Sequence, residues 1–388
     1  MGNFWFTLLV LSTMLTTILA TKELKVNMTI LQSATAKGAV CLDGSPPAYY
    51  LDRGYGSRIR SWIIYLDGGG WCDSVRSCKA RSKGFLGSST TTPLHPPATF
   101  SGILHNDPTV NPDFYNWNRV RVLYCDGSSF TGDAAHVDPE TKVYYRGARI
   151  FKAIMDDLLQ KGMRNAENAI LSGTSAGGLA TILNCDKFKS LLPKNAKVKC
   201  VADAGFFINA KTISGTSDIQ QMYNKVVKLH GSAKNLPPSC TSAMKPSLCF
   251  FPQNVVPYVQ TPLFIINSAY DTWQVGNTLV PQYLDPQHIW DDCRNQLSNC
   301  TFSQRKIIKG FGVEFLKTFS ELTPSCTRGY FITSCYSHGQ IIWARYWFSP
   351  TSPQLLNKTI GEAVADWFSD KAVVQYVDLY PSAKDCKK

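Results

Sequence analysis

Five short apolar runs punctuate the chain, and each ends abruptly in small or polar residues. They are Ser61-Trp62-Ile63-Ile64-Tyr65-Leu66, Asn168-Ala169-Ile170-Leu171-Ser172, Val198-Lys199-Cys200-Val201-Ala202, Thr261-Pro262-Leu263-Phe264-Ile265-Ile266-Asn267 and Gly329-Tyr330-Phe331-Ile332-Thr333. Runs this short, with little polar alternation, read as strands buried on both faces, as in a parallel sheet. After the second run the period changes. Leu179, Ala180, Ile182 and Leu183 recur at helical spacing. Strand followed by helix predicts an α/β architecture, a mostly parallel central sheet flanked by helices.

The junction between the second run and its helix is Gly173-Thr174-Ser175-Ala176-Gly177, a G-x-S-x-G sequence. A strand, a sharp glycine-flanked turn and a helix are what a nucleophile elbow requires, because the serine must occupy a strained backbone conformation. The other reading is a nucleotide-binding strand-to-helix turn. It lacks the Gly-Lys-Ser/Thr or G-x-G-x-x-G that such turns carry.

A nucleophilic serine needs a base and an orienting acid, and in α/β-hydrolases the chain order is serine, acid, histidine. The fourth run leads into Ser268-Ala269-Tyr270-Asp271, and the fifth into Ser334-Cys335-Tyr336-Ser337-His338. Asp271 and His338 are therefore the preferred acid and base. His288 is the other downstream histidine, and no strand leads into it. Asp203, just past the third run, competes for the acid. Its alternative reading is a cap on the segment 204–207. The first run opens into Asp67-Gly68-Gly69-Gly70-Trp71-Cys72. Three glycines let a backbone approach a bound group, so the expected oxyanion donors are Gly69, Gly70, Trp71 and, after the nucleophile, Ala176. Trp71 and Trp273 flank the site in sequence, as acyl-pocket walls, sugar platforms or core packing.

Residues 1–20 are uncharged, with a long apolar stretch from Phe4 and Ala20 at the expected cleavage point. They read as a secretory signal peptide, with an uncleaved anchor as the alternative. Residues 21–388 show no linker or repeat and read as a single domain. Segments 87–98 and 209–247 look like insertions on it. Thirteen cysteines behind a signal peptide imply an oxidising compartment and several disulfides, and the odd number leaves one thiol over. Cys72/Cys78, Cys240/Cys249 and Cys293/Cys300 are close in sequence, though spacing does not determine pairing. No C-x₂-C or H-E-x-x-H occurs, so neither metal nor cofactor is expected. Asn27, Asn299 and Asn357 open N-x-Thr sequons. The net charge of +12 would attract a polyanion; a secreted chain without nucleic-acid motifs argues against DNA or RNA.

Several longer stretches carry a resemblance: LDGGGWCDSVRSC (66–78), YCDGSSFTGD (124–133), SGTSAGGLATILNCD (172–186), KVKCVADAGFF (197–207), KPSLCFFPQNVVP (245–257), NSAYDTWQV (267–275) and SCYSHGQ (334–340). Together they resemble the plant pectin acetylesterases, a group that includes the Notum-type carboxylesterases. The resemblance implies an α/β-hydrolase fold, a Ser175-Asp271-His338 triad and oxyanion donors at Gly70-Trp71 and Ala176. It also implies a secreted enzyme acting on acetylated pectin in the cell wall. The chain departs from the family pattern at Asp67 (usually Glu), Thr174 (usually Cys), Gly339 (usually Cys) and in a tail that keeps only Cys386. Lost cysteines beside His338 and in the tail suggest a deleted cross-link. Competing readings are an esterase for longer acyl chains and a catalytically silent wall-binding protein. The sequence sets no oligomeric state.

Overall fold

The computed structural model describes residues 23–91, 96–137 and 139–386. The signal peptide expected at 1–20 lies outside the described residues. Eleven strands occur among these residues: β1 (Leu24–Val26), β2 (Met28–Ile30), β3 (Ala48–Asp52), β4 (Ser61–Leu66), β5 (Ala98–Phe100), β6 (Asn118–Val122), β7 (Asn168–Thr174), β8 (Lys197–Asp203), β9 (Leu263–Ser268), β10 (Arg328–Thr333) and β11 (Gln375–Val377). β1 and β5 form an antiparallel ribbon, and the other nine make one sheet in the order β11-β10-β9-β8-β7-β4-β6-β3-β2. From β11 to β6 every pairing is parallel, whereas β3 pairs antiparallel with β6 and with β2. This is the mixed, mostly parallel sheet of an α/β-hydrolase.

All five predicted runs are central strands. Alternate residues of each face opposite sides of the sheet. Ile64, Leu171, Cys200 and Ile265 pack into one hydrophobic layer with the helices α2 (Gly147–Gln160) and α3 (Ala176–Ser190). Ile63, Ile170, Val201, Phe264 and Phe331 pack into the other, against the helix Ile360–Phe368. A strand clad on both sides has no solvent face, which is why the runs lack polar alternation.

β6 lies between β3 and β4, while β7 continues on the far side of β4. The strand order thus reverses around β4, and such a switch point opens a crevice at the carboxyl ends of the strands. The glycine loop after β4 and the elbow after β7 both emerge there.

Six disulfides join Cys41–Cys125, Cys72–Cys78, Cys185–Cys200, Cys240–Cys249, Cys293–Cys300 and Cys335–Cys386, leaving Cys326 free and exposed. The three sequence-adjacent pairs all form. Segment 209–247, between β8 and β9, packs into the core. Its helix Asp218–His230 buries Ile219, Tyr223, Val226, Val227 and His230, and Tyr223 joins the main core. His230 lies against the Cys72–Cys78 bridge, and its Nε2 is 2.9 Å from the Cys72 carbonyl. No helix among the described residues is long and apolar enough to cross a membrane.

Asn27, Asn299 and Asn357 are all exposed. Two of the sequon threonines have a second use: Thr301 and Thr359 are the N-caps of helices Phe302–Ser320 and Ile360–Phe368, each in a capping box.

Candidate active site

Ser175 sits at the turn from β7 into α3 with φ of 62° and ψ of −127°, a strained conformation for a residue with a side chain. The turn is anchored on both sides. Ser175 N–H donates to the Asp203 carbonyl at 2.9 Å, and the Ser175 carbonyl accepts from Leu179 N at 2.9 Å. Gly177 lets α3 press against β4, since a Cβ there would lie 2.0 Å from the Leu66 carbonyl oxygen. The elbow predicted from the sequence is thus formed, with its glycine required by close packing.

Asp271 follows β9, is fully buried, and caps the short helix Thr272–Gln274 through Oδ1, which accepts from Gln274 N at 2.9 Å. Its other oxygen, Oδ2, lies 2.7 Å from Nδ1 of His338. This contact holds the proton on Nδ1 and leaves Nε2 as the basic nitrogen. Nε2 is buried, has no hydrogen-bond partner, and belongs to the residue that lines one cleft with Ser175. Burial works to lower the His338 pKa, but the charge and hydrogen bond of Asp271, with the charge of Asp203, raise it above its ordinary 6.5. A base must be neutral to accept a proton, and a raised pKa extends the protonated form upward in pH. The acid limb of kcat/KM is therefore expected to centre above pH 6.5, and Asp271→Asn to move it lower. A limb below 6.5, or one unmoved in that variant, would contradict the pairing.

The two alternative residues make other contacts. His288 is exposed and pairs with Asp291 through Nδ1 at 3.0 Å. Asp203 is fully buried, but it caps no helix, because 204–210 is irregular. Its Oδ2 accepts from Gln340 N at 2.7 Å, Ile341 N at 3.2 Å and Thr174 Oγ1 at 2.7 Å. It therefore ties the elbow to the loop carrying His338. Burial drives its pKa up to about 6 despite these hydrogen bonds.

The glycine loop lies beside the elbow. Gly68, Gly69 and Gly70 line the same cleft as Ser175, and Gly69 and Gly70 have φ of 143° and 65°. The N–H groups of Gly70, Trp71 and Ala176 donate to no acceptor among the described residues, which leaves them available to a bound oxyanion. Gly69 takes part through its carbonyl, which accepts from Arg81 Nη1 at 2.8 Å. Asp67, at the position where the family has Glu, pairs with Arg121 at 2.8 Å.

Trp71 and Trp273 pack edge to face with centroids 5.5 Å apart. Phe207 lies 5.0 Å from Trp71 and 5.1 Å from Trp273, while Tyr223 and Phe250 close over Trp71 at 5.1 Å and 6.3 Å. Phe207 and Trp273 each stand 6.3 Å from the His338 ring. The two tryptophans are thus members of an aromatic wall, and Trp273 also lines the cleft.

Two of the departures from the family pattern meet here. A Cβ at Gly339 would be 2.7 Å from Thr174 Cγ2. Gly339 therefore faces the elbow and not the tail, and the tail retains its cross-link through Cys335–Cys386. Sequence reasoning missed Asp203 as a tether, and it missed Arg81, Tyr124 and Ser129 altogether. The stretch 124–133 stood out only through the resemblance; it holds serines and aspartates, but it follows none of the five apolar runs from which the site was read.

A mostly parallel sheet with a strained serine elbow, a buried acid–histidine pair and free amides around one cleft defines the α/β-hydrolase class. The family model described as Pectinacetylesterase matches residues 19–387. Pectin acetylesterase 7 of Arabidopsis thaliana is 50% identical over 374 residues, covering 96% of this chain and 94% of that protein. Pectin acetylesterase 11 of the same plant is 51% identical over 353 residues, covering 91% and 90%. More distant is the palmitoleoyl-protein carboxylesterase notum1a of Danio rerio, 27% identical over 340 residues, covering 84% of this chain and 63% of that protein. The chain belongs to the pectin acetylesterase family and is a carboxylic ester hydrolase.

Proposed function

We propose that this protein is a secreted serine esterase that removes acetyl groups from pectin in the plant cell wall. The observation that carries the acyl specificity is the aromatic wall beside His338. Trp71, Phe207, Tyr223, Phe250 and Trp273 fill one another's edges, with neighbouring centroids between 4.8 and 6.3 Å. Trp273 lines the cleft and the other rings pack around it, so an acyl chain that enters this wall has to displace packed rings, and a methyl group displaces fewest, each lost pair costing about 0.5–1.5 kcal/mol. The net charge of +12 favours a polygalacturonate chain over a neutral polymer.

In the proposed reaction His338 Nε2 takes the proton of Ser175 as Oγ attacks the acetyl carbonyl. Asp271 holds the imidazolium that forms. The carbonyl oxygen becomes negative and is held by the N–H groups of Gly70, Trp71 and Ala176. His338 then passes the proton to the departing sugar oxygen, leaving an acetyl group on Ser175. Water, deprotonated by His338, attacks this ester and releases acetate, and the proton returns to Ser175. Neither metal nor cofactor enters these steps. Three exposed sequons and six disulfides accord with passage through an oxidising secretory route.

The test is acetate release from acetylated pectin by the purified protein, with p-nitrophenyl esters of increasing chain length alongside. The expected result is acetate release and a kcat/KM that falls at least ~10-fold between two and eight acyl carbons, the size of penalty two displaced ring pairs would impose. Faster turnover of the eight-carbon ester, with none on pectin, would replace this reading with that of a long-chain esterase.

A further inference from the structure

The loop after β6, Tyr124-Cys125-Asp126-Gly127-Ser128-Ser129-Phe130, takes no part in the reaction as written, yet it lies against every part of the candidate oxyanion hole. An amide can serve such a hole only if its peptide plane is held. In a trans peptide the C=O and the following N–H point in opposite directions, so gripping the oxygen aims the hydrogen. For Ala176 the grip is regular structure: the Ser175 carbonyl accepts from Leu179 N at 2.9 Å within α3. Gly70 and Trp71 belong to no helix or strand, and the positive φ of Gly69 and Gly70 marks a chain with little preference of its own.

Two side chains supply what regular structure does not. Arg81 Nη1 donates to the Gly69 carbonyl at 2.8 Å, and its Nε donates to the Leu86 carbonyl at 3.1 Å. The Tyr124 hydroxyl donates to the Gly70 carbonyl at 2.8 Å and accepts from Ser129 N at 3.0 Å. The Arg81 guanidinium also stacks 5.0 Å from the Tyr124 ring centroid, which locks the two grips together. Arg81 ends the helix α1 (Val75–Arg81), and the Cys72–Cys78 bridge ties that helix to the glycine loop. Ser129 closes the circuit. Its hydroxyl accepts from the Trp71 indole Nε1 at 2.8 Å and donates to the Ala176 carbonyl at 2.7 Å. Arg81 makes no ion pair among the described residues; its Nη1 and Nε go to carbonyls, while Nη2 is buried without a hydrogen-bond partner there.

We propose that Arg81 and Tyr124 are positioning residues for the oxyanion hole: by gripping the Gly69 and Gly70 carbonyls they turn the Gly70 and Trp71 N–H groups toward the oxygen that becomes charged in the transition state. This rests on the serine-esterase reading above. The grip changes nothing for the neutral substrate carbonyl and matters only once charge develops, so its loss falls on kcat.

The test compares Tyr124→Phe, which keeps the ring, with Arg81→Met and Arg81→Lys, measuring kcat and KM on p-nitrophenyl acetate together with Tm. Removing an oxyanion donor outright costs roughly 10²–10³ in kcat, so loosening one costs about 10- to 100-fold. Tyr124→Phe and Arg81→Met are each expected to lower kcat by that factor, with KM within about threefold and Tm little changed. Arg81→Lys, with one donor and the charge retained, is expected to recover part of the loss. A Tyr124→Phe enzyme within about twofold of the native kcat would overturn the proposal, as would a rise in KM at constant kcat. If Arg81→Met fails to fold, the Tyr124→Phe result decides. Native activity that survives Ser175→Ala would sink the esterase reading itself; activity lost there but kept in Tyr124→Phe sinks only the carbonyl grip.

Discussion

Replacing Ser175 with alanine is expected to lower kcat on acetyl esters by about 10⁶, the scale on which removing an activated serine acts. Nothing else in the cleft substitutes for it. The only other hydroxyl at the elbow, that of Thr174, donates to Asp203 at 2.7 Å. The loss should be purely chemical, because the Ser175 backbone is held by its own N–H and C=O and not by its side chain. Alanine also keeps the Cβ and the strained φ of 62°, so Tm should stay within a few degrees. Binding of acetylated pectin oligomers should survive. Acetate release and thermal melts on the same preparation provide the measurement. Residual turnover within about a hundredfold of native would mean that Ser175 is not the nucleophile.

Changing Asp271 to asparagine has the second-largest expected effect, about 10⁴ in kcat. The geometry is nearly isosteric, but an amide nitrogen facing Nδ1 favours the wrong imidazole tautomer, and the imidazolium loses its counter-charge. Asp203 is the control. Its Oδ2 accepts from two backbone N–H groups and one hydroxyl, all of which an asparagine oxygen can still receive. Asp203→Asn is therefore expected to keep kcat within about tenfold of native. Its effect on stability has a definite sign. With a folded pKa of about 6 against an ordinary 3.8, the native protein binds a proton more readily than the unfolded chain. The cost of the buried charge thus grows as pH rises from about 4 to 6, and the asparagine variant should gain relative stability over that window. If Asp203→Asn, and not Asp271→Asn, abolished turnover, the acid would have to be reassigned to the end of β8.

Much of the site was legible because its chemistry sits at strand ends. A nucleophile elbow has to be a strand, a sharp turn and a helix within a dozen residues, and each leaves a local signature around Ser175. Asp271 and His338 were proposed in the same way, as an acid and a histidine that follow buried runs, and the structure pairs them at 2.7 Å. Gly69, Gly70 and Trp71 follow a strand directly, and Ala176 is fixed by Ser175 itself.

The helix at 218–230 was missed as a core element for a related reason. Its lysines sit on the solvent face and give the stretch a polar composition, while Ile219, Tyr223, Val226 and Val227 share the buried face. The tether role of Asp203, read from the sequence as a competing acid or a cap, was not legible because its partners, Thr174 and Gln340, lie 29 and 137 residues away.

The sequence by itself thus determined the layered α/β architecture and pointed to the candidate serine, acid, histidine and glycine loop, since these readings depend on periodicity and on what immediately follows each strand. Tertiary structure alone decided the crossing of β6 between β3 and β4, the disulfide pairing, the aromatic wall, and the grip of Arg81 and Tyr124 on the glycine loop. Each of these joins residues distant along the chain through side-chain geometry, and a contact of that kind imposes no pattern on the sequence around either partner.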